Sequence, residues 1–409
     1  MADIQINSSS IESAGGVSSL LYDISIVDDE KELKRCTLRY TVDAEYEDYL
    51  CNEVSDGIVV TLLSYAMRGG YDIKSLIPMT ERLYYTLSEQ LIPQLLTCND
   101  VYHSKIIADI IYPDWKPTGV ATAMSCGVDS FATFFEYSQP SVLKNYRITH
   151  LTYFQNGAHH SGHIGHSEDE ENVYNEQLAW VKRFCDRYDY KLIVISSNID
   201  EFLSEMFWED SYDNTHSYRN AGFVLLLQKL IKTYYYSPAH DISELKCSMT
   251  SDAAQYERLI LPNVSSEFTS IYNSSGAMTR IEKIQFLSQF SETHDALLVC
   301  YMGGRNCGKC LKCKRTLVEL DVTGVLELYK DSFDLDSYKK NRRKYMVWCL
   351  SKRHKDDLMR QIHEYIKLHN VHIPYGAYFI SNIRAIIVAV IRGIQSIFRN
   401  KSNKSWKNR

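Results

Sequence analysis

No apolar run in this chain approaches the ~20 residues that spanning a bilayer requires. The opening stretch from Met1 to Gly16 is polar, with no basic segment leading into an apolar core. The expectation is a cytoplasmic protein without a leader. Internal repeats and long low-complexity segments are missing too, and no Gly-Lys-Ser/Thr of a Walker phosphate loop occurs. The eleven cysteines do not read as a disulfide framework; four stand at metal-ligand spacing, which fits a reducing compartment. Cys36, Cys51, Cys98, Cys185, Cys247 and Cys349 are scattered and read as core residues.

What is present is length and a lopsided charge. With 409 residues there is room for two or three domains. The net charge of −6 conceals a basic end: residues 339–409 hold 17 Lys and Arg against 3 Asp and Glu, leaving −20 on the rest. So acidic a body makes nucleic acid a poor partner. The tail suits an anionic membrane surface or an acidic partner.

Residues 1–115 read as an α+β domain. Strands are expected at 21–27 and 36–42, helices at 59–67 and 80–96, and a returning strand at 105–111. Pro113 and Pro117 mark a boundary. Strand-length apolar runs then follow at 120–124, 148–154, 192–195 and 297–301. Between them lie helical patterns at 129–137, 172–188, 220–236 and 280–290. This alternation predicts an α/β fold, a Rossmann-like parallel sheet covered by helices, over residues 116–330, followed by a basic, mainly helical region at 331–409.

Two motifs carry chemistry. Ser125-Cys126-Gly127-Val128-Asp129-Ser130 lies between an apolar strand and a helix, where backbone N–H groups and a helix dipole can hold phosphate. The plainer reading is an ordinary turn with Asp129 and Ser130 as caps. Downstream, Cys300 with Cys307, Cys310 and Cys313 can close a four-thiolate zinc site. An iron–sulfur cluster takes the same ligands.

The turn resembles the Ser-Gly-Gly-x-Asp-Ser loop of the PP-loop ATP pyrophosphatases at Ser125, Gly127, Asp129 and Ser130, with Cys126 replacing the first glycine. Within that superfamily, residues 119–322 look like the 7-cyano-7-deazaguanine synthase branch. Phe154-Gln155-Asn156-Gly157 with His159 and His160, Tyr218-Arg219-Asn220, Asp252 to Tyr256, Thr279 to Ile284, and the cysteine cluster follow in that branch's order. The resemblance implies a Rossmann-like nucleotide hydrolase fold, ATP and Mg²⁺ as reactants, and Zn²⁺ as structural metal. It implies a carboxylate adenylated with release of pyrophosphate, then attacked by ammonia or an amine to give an amide, which a second activation converts to a nitrile. Ser125, Gly127, Asp129, Ser130 and Asn220 would bind the nucleotide, and Arg219 and Lys283 would face its phosphates. Either cation has surface salt bridging as its alternative.

The synthase has no counterpart for residues 1–115, the insertion 161–171 or the basic tail, so another acid is a candidate substrate. Alternative functions are a PP-loop sulfur transferase with Cys126 as the persulfide carrier, or an ATP-binding scaffold that does not catalyse. His159, His160, His163 and His166 form either a lid or a second metal site. Ile383, Ile386, Ile387, Val390, Ile394, Ile397 and Phe398 recur at helical spacing among basic residues. That is a helix for an anionic membrane surface or for the protein's own body.

Overall fold

Three strands open the chain as an antiparallel meander: β1 (Asp3–Ala14), β2 (Val17–Asp28) and β3 (Lys31–Asp43). The structure, a computed structural model, describes residues 2–98, 101–158, 167–208, 211–248, 252–274 and 276–387. Both hairpins close through two residues of positive φ, Gly15–Gly16 and Asp29–Glu30, the geometry that matches strand twist. β2 and β3 were expected. β1 was not, because its serine-rich outer half lacks a clean apolar alternation.

Helix α1 (Asp56–Gly69) follows, and ten of its residues from Ile58 to Met67 are buried. β4 (Asp72–Ser75) then returns parallel to β1. After β5 (Met79–Thr80), the expected helix appears as α2 (Glu81–Tyr85) and α3 (Ile92–Cys98), joined by one π-helical stretch. The returning strand at 105–111 is only two short pieces, β6 (Ile106–Ile107) and β7 (Ile110–Ile111).

The second rhythm matches its pattern more closely. It runs β8 (Gly119–Ala123), α4 (Val128–Ser138), β9 (His150–Phe154), α5 (Ser167–Tyr188) and β10 (Lys191–Ser197). Next come α6 (Ile199–Met206), α7 (Tyr212–Leu225), β11 (Ile231–Tyr236), α8 (Glu257–Asn263) and β12 (Ser270–Asn273). The expected helix 220–236 is corrected: it ends at Leu225, and the aromatic run Tyr234–Tyr236 lies in β11. A continuous apolar run fits both periods, and the β-branched and aromatic residues settle it as a buried strand.

One ten-stranded, mostly parallel sheet results, in the order β12-β11-β8-β9-β10-β3-β2-β1-β4-β6. The fold is therefore α/β. The parallel part joins the meander where β10 pairs antiparallel with β3 through Ser196 and Ser197. Asn198 prolongs that ladder with its side chain, accepting from the Arg39 N–H at 2.8 Å and donating to the Thr37 carbonyl at 3.0 Å.

The expected boundaries at 115 and 330 are not those of the two compact units. One unit comprises residues 1–278 and 301–304, the other 279–300 and 305–409. A single apolar core in the first unit runs from Ile4 and Leu63 to Phe154, Phe223 and Ile271. Within it α1 lies along α7. A Cβ on Gly57 would sit 2.8 Å from the Gly222 carbonyl, so the two backbones meet with no side chain between them.

The second unit holds α9 (Arg280–Leu287), α10 (Leu311–Val322), α11 (Leu335–Lys352) and α12 (Asp357–Leu368), with residues 377–387 also helical. Residues 297–300, expected as strand, form no regular element. The Asn306 side chain takes the place of a neighbouring strand, accepting from the Val299 N–H at 2.9 Å and donating to the Leu297 carbonyl at 2.7 Å. Among the described residues no helix is long and apolar enough to cross a membrane.

Candidate functional site

β8 lies between β11 and β9, and the turn that leaves its carboxyl end carries the Ser-x-Gly-x-Asp-Ser motif. In open α/β sheets that edge is where ligands sit. Gly127 caps α4, and the amides of its first turn have no acceptor within the helix. The turn is tied by its own hydroxyls. The Ser125 N–H donates to Ser130 Oγ at 3.3 Å, the Gly127 N–H to Ser125 Oγ at 3.3 Å, and Ser130 Oγ to the Gly127 carbonyl at 3.1 Å. Ser125 is exposed and Asp129 half-buried, whereas Ser130 is buried.

Cys126 adopts φ +56°, a left-handed conformation that costs a residue with a Cβ roughly 1–2 kcal/mol. This is the position at which the motif it resembles has glycine. The thiol is fully buried, and burial, aided by the neighbouring Cys185, pushes it well above the ordinary thiol range. It stays protonated.

Helix α7 projects Tyr212, His216, Arg219 and Asn220 from one face. Arg219 is buried, and its guanidinium is heavily engaged. Nη1 donates to Asp200 at 3.0 Å and to the Asn156 carbonyl at 3.2 Å, while Nη2 donates to the Tyr65 hydroxyl at 2.8 Å. The ring of Tyr212 lies 5.6 Å from its centre. Gly157, at φ +93°, leaves the space this ion pair occupies; a Cβ there would collide with both Arg219 and Asp200. Asn220 accepts from Asn156 Nδ2 at 2.7 Å and donates to the His216 carbonyl at 2.9 Å.

A second chain of polar groups crosses the end of β11. His216 Nε2 lies 3.0 Å from Asp252, and its Nδ1 lies 3.0 Å from the Tyr236 hydroxyl. A carboxylate only accepts, so Nε2 carries the proton, and in neutral histidine Nδ1 then accepts from Tyr236. Burial works against ionisation of Asp252, but hydrogen bonds from His216 and His240 outweigh it and hold the carboxyl well below its usual range. Sequence reading found Asp252 but missed His216 and Tyr236. Their only signal was their place beside Arg219 and at a strand end, and the strand itself had been misread as helix.

In the second unit, Lys283 is buried in α9, whose first turn is closed by a reciprocal capping box between Thr279 and Glu282. There too the ligand atoms of Cys300, Cys307, Cys310 and Cys313 all lie within 4.8 Å of one another. Tetrahedral sulfurs at ~2.3 Å from zinc stand about 3.8 Å apart. Cys307–Cys313 and Cys300–Cys310 are each at 4.0 Å. Backbone N–H groups already support the sulfurs: those of Lys309 and Cys310 point to Cys307 Sγ at 3.4 and 3.2 Å, and that of Cys313 to Cys310 Sγ at 3.4 Å. The hydrogen bond to Cys300 draws Cys310 well below the ordinary thiol range, and the interaction with Cys300 drives Cys313 well above it. Crowded sulfurs cannot all ionise without a cation. The cluster can hold a metal such as zinc.

Ser125, Gly127, Asp129, Ser130, Arg219 and Asn220 thus belong to the first unit, and Lys283 and the four cysteines to the second. His159, His160, His163 and His166 lie outside the described residues, as do Val390, Ile394, Ile397 and Phe398. Comparison of the chain with protein-family models, curated proteins and solved structures finds no match.

Proposed function

We propose that this protein cleaves ATP between its α and β phosphates to activate a carboxylate as an acyl-adenylate, which ammonia or an amine then attacks to give an amide and AMP; a primary amide activated by a second ATP would lose its oxygen to give a nitrile. The observation that carries the reading is the Ser125–Ser130 turn, set at the carboxyl end of a central parallel strand and at the start of α4. There the first-turn amides and the Ser125 and Ser130 hydroxyls would hold the pyrophosphate portion, where negative charge builds as the leaving group departs. Mg²⁺ would supply charge neutralisation, with Asp129, the carboxylate of the motif, as its candidate ligand.

Arg219, engaged by Tyr65, Asp200 and the Asn156 carbonyl, acts in this reading by fixing the turn after β9 against α7. Attack by an amine releases a proton. In the Asp252–His216–Tyr236 chain the Tyr236 hydroxyl would take that proton as it passes its own to His216 Nδ1. The four-cysteine site, with no ligand position left open, would be structural.

Sulfur transfer is disfavoured by the buried, protonated state of Cys126, since the thiolate is the reactive form. The strained backbone at the same residue favours an attenuated or binding-only protein as the second reading.

The test is incubation with Mg²⁺-ATP, ammonium and 7-carboxy-7-deazaguanine, separating AMP from ADP and weighing the base. AMP with a base converted to amide or nitrile is the expected result. ATP binding without AMP, across a panel of carboxylic acids, overturns the ligase reading in favour of the scaffold. Cys126→Gly should raise the rate of AMP release severalfold if the left-handed turn limits the loop, and leave it unchanged if the cysteine is neutral.

A further inference from the structure

Among the described residues, the second unit has an apolar helical face that is exposed. The helix at 377–387 is held to the unit by one side. Ala377 and Ser381 are buried, and Arg353 at the end of α11 donates to Ser381 Oγ at 3.4 Å and to Asn382 Oδ1 at 2.7 Å. The opposite side presents Phe379 at 70 % exposure, Ile386 at 64 %, Ile387 at 52 % and Ile383 at 42 %. At 100° per residue these four share one stripe, directed away from the anchored side.

Cations gather in the same unit. Lys314 on α10 and Lys352 on α11 place their ammonium groups 4.8 and 4.9 Å from the ring of Trp348. Lys344 and Arg384 are near enough to repel Lys314 electrostatically. Among the described residues no ion pair joins any of these four to a carboxylate. Arg384 rides on the helix itself, on the flank between the apolar stripe and the anchored side, roughly 60° around from Ile387. Lys344 and Arg384 are exposed.

We propose that this face is a docking surface for a membrane bearing anionic phospholipids, with Phe379, Ile383, Ile386 and Ile387 entering the headgroup–acyl boundary and Lys344, Arg384, Lys352 and Lys314 facing the phosphates. Exposed aliphatic and aromatic side chains flanked by basic residues are the composition of an interfacial helix. Charge complementarity selects the occupant. A second copy of the chain would bring like charge to the same stripe. A nucleic acid would leave the isoleucines facing polar backbone. Residues 388–409 continue in the same sense, with six Lys and Arg and no Asp or Glu. The inference is independent of the catalytic reading.

The test is sedimentation of the full-length protein with vesicles of phosphatidylcholine alone or mixed with phosphatidylserine, at low and at raised salt. Binding to the mixed vesicles, absent from neutral ones and reduced by salt, is expected. Lys344→Glu with Arg384→Glu should lower the partition coefficient at least about tenfold, as removal of two cations from an anionic surface requires. Phe379→Ser with Ile383→Ser and Ile387→Ser should lower it comparably. All five positions are exposed, and unchanged zinc content shows that the unit has folded. Equal binding to neutral and anionic vesicles overturns the proposal. So does binding that survives both sets of substitutions, or preference for duplex DNA or an acidic protein over the vesicles.

Discussion

Asp56 shows how far a single carboxyl can be displaced by its place in the core. It opens α1, fully buried, and accepts from the Thr80 N–H at 3.0 Å, from Thr80 Oγ1 at 2.8 Å and from Gln228 Nε2 at 2.8 Å. Burial outweighs those bonds and raises its pKa to about 6. A folded-state value above the unfolded one favours folding below about pH 4, and that contribution is lost as pH climbs through about 6. Asp56→Asn removes the titration. The stability of the natural chain relative to this variant should therefore fall by about 2 kcal/mol between pH 4.5 and pH 7.5. Urea unfolding at the two pH values measures it; a constant difference would mean that Asp56 does not titrate in this range. The residue scale is also where sequence reading fell short. Arg219 was expected as a cation facing a nucleotide's phosphates or as a surface salt-bridge partner; its burial and its bond to Tyr65, which lies 154 positions away, left no mark in the sequence.

At the scale of elements, legibility followed periodicity. β8, β9 and β10 and helices α4, α5 and α9 stood where short apolar runs and amphipathic spacing placed them. β1 escaped because a serine-rich strand with one half exposed carries no apolar alternation. The segment at 297–300 misled for the opposite reason: it is buried and apolar, yet a side chain, not a strand, satisfies its backbone. The meeting of the four cysteines was legible, since ligand spacing fixes geometry with little help from the fold. Its weight in the second unit can be measured. Cys310→Ser or Cys313→Ser should reduce bound zinc from one ion per chain to a substoichiometric trace by atomic emission. Chelation should lower the melting temperature of the natural protein and leave that of the variants unchanged. Equal metal content in all three would overturn the assignment.

The whole molecule assigns the N-terminal third a role that composition did not disclose. Residues 1–115 were expected as a domain apart. Instead, β1–β3 extend the same sheet, and the apolar core runs without interruption from Ile4 to Ile271. α1 packs on α7, the helix that carries His216, Arg219 and Asn220, and reaches Arg219 directly through Tyr65. A chain beginning at residue 116 would expose one face of α7 and the edge of β10, so it should be recovered as an aggregated or molten species by near-ultraviolet circular dichroism. A sharp cooperative melt from that fragment would show the third to be dispensable.

The contact between Gly57 and Gly222 carries a consequence for inheritance. Where two backbones touch, neither sequence can drift alone. A methyl group gained on either helix must be answered by a shift of the other. Recombination that replaced the first third with a foreign segment would have to import a glycine at the crossing as well. The two stretches, 165 positions apart, are expected to travel through descent as one cassette.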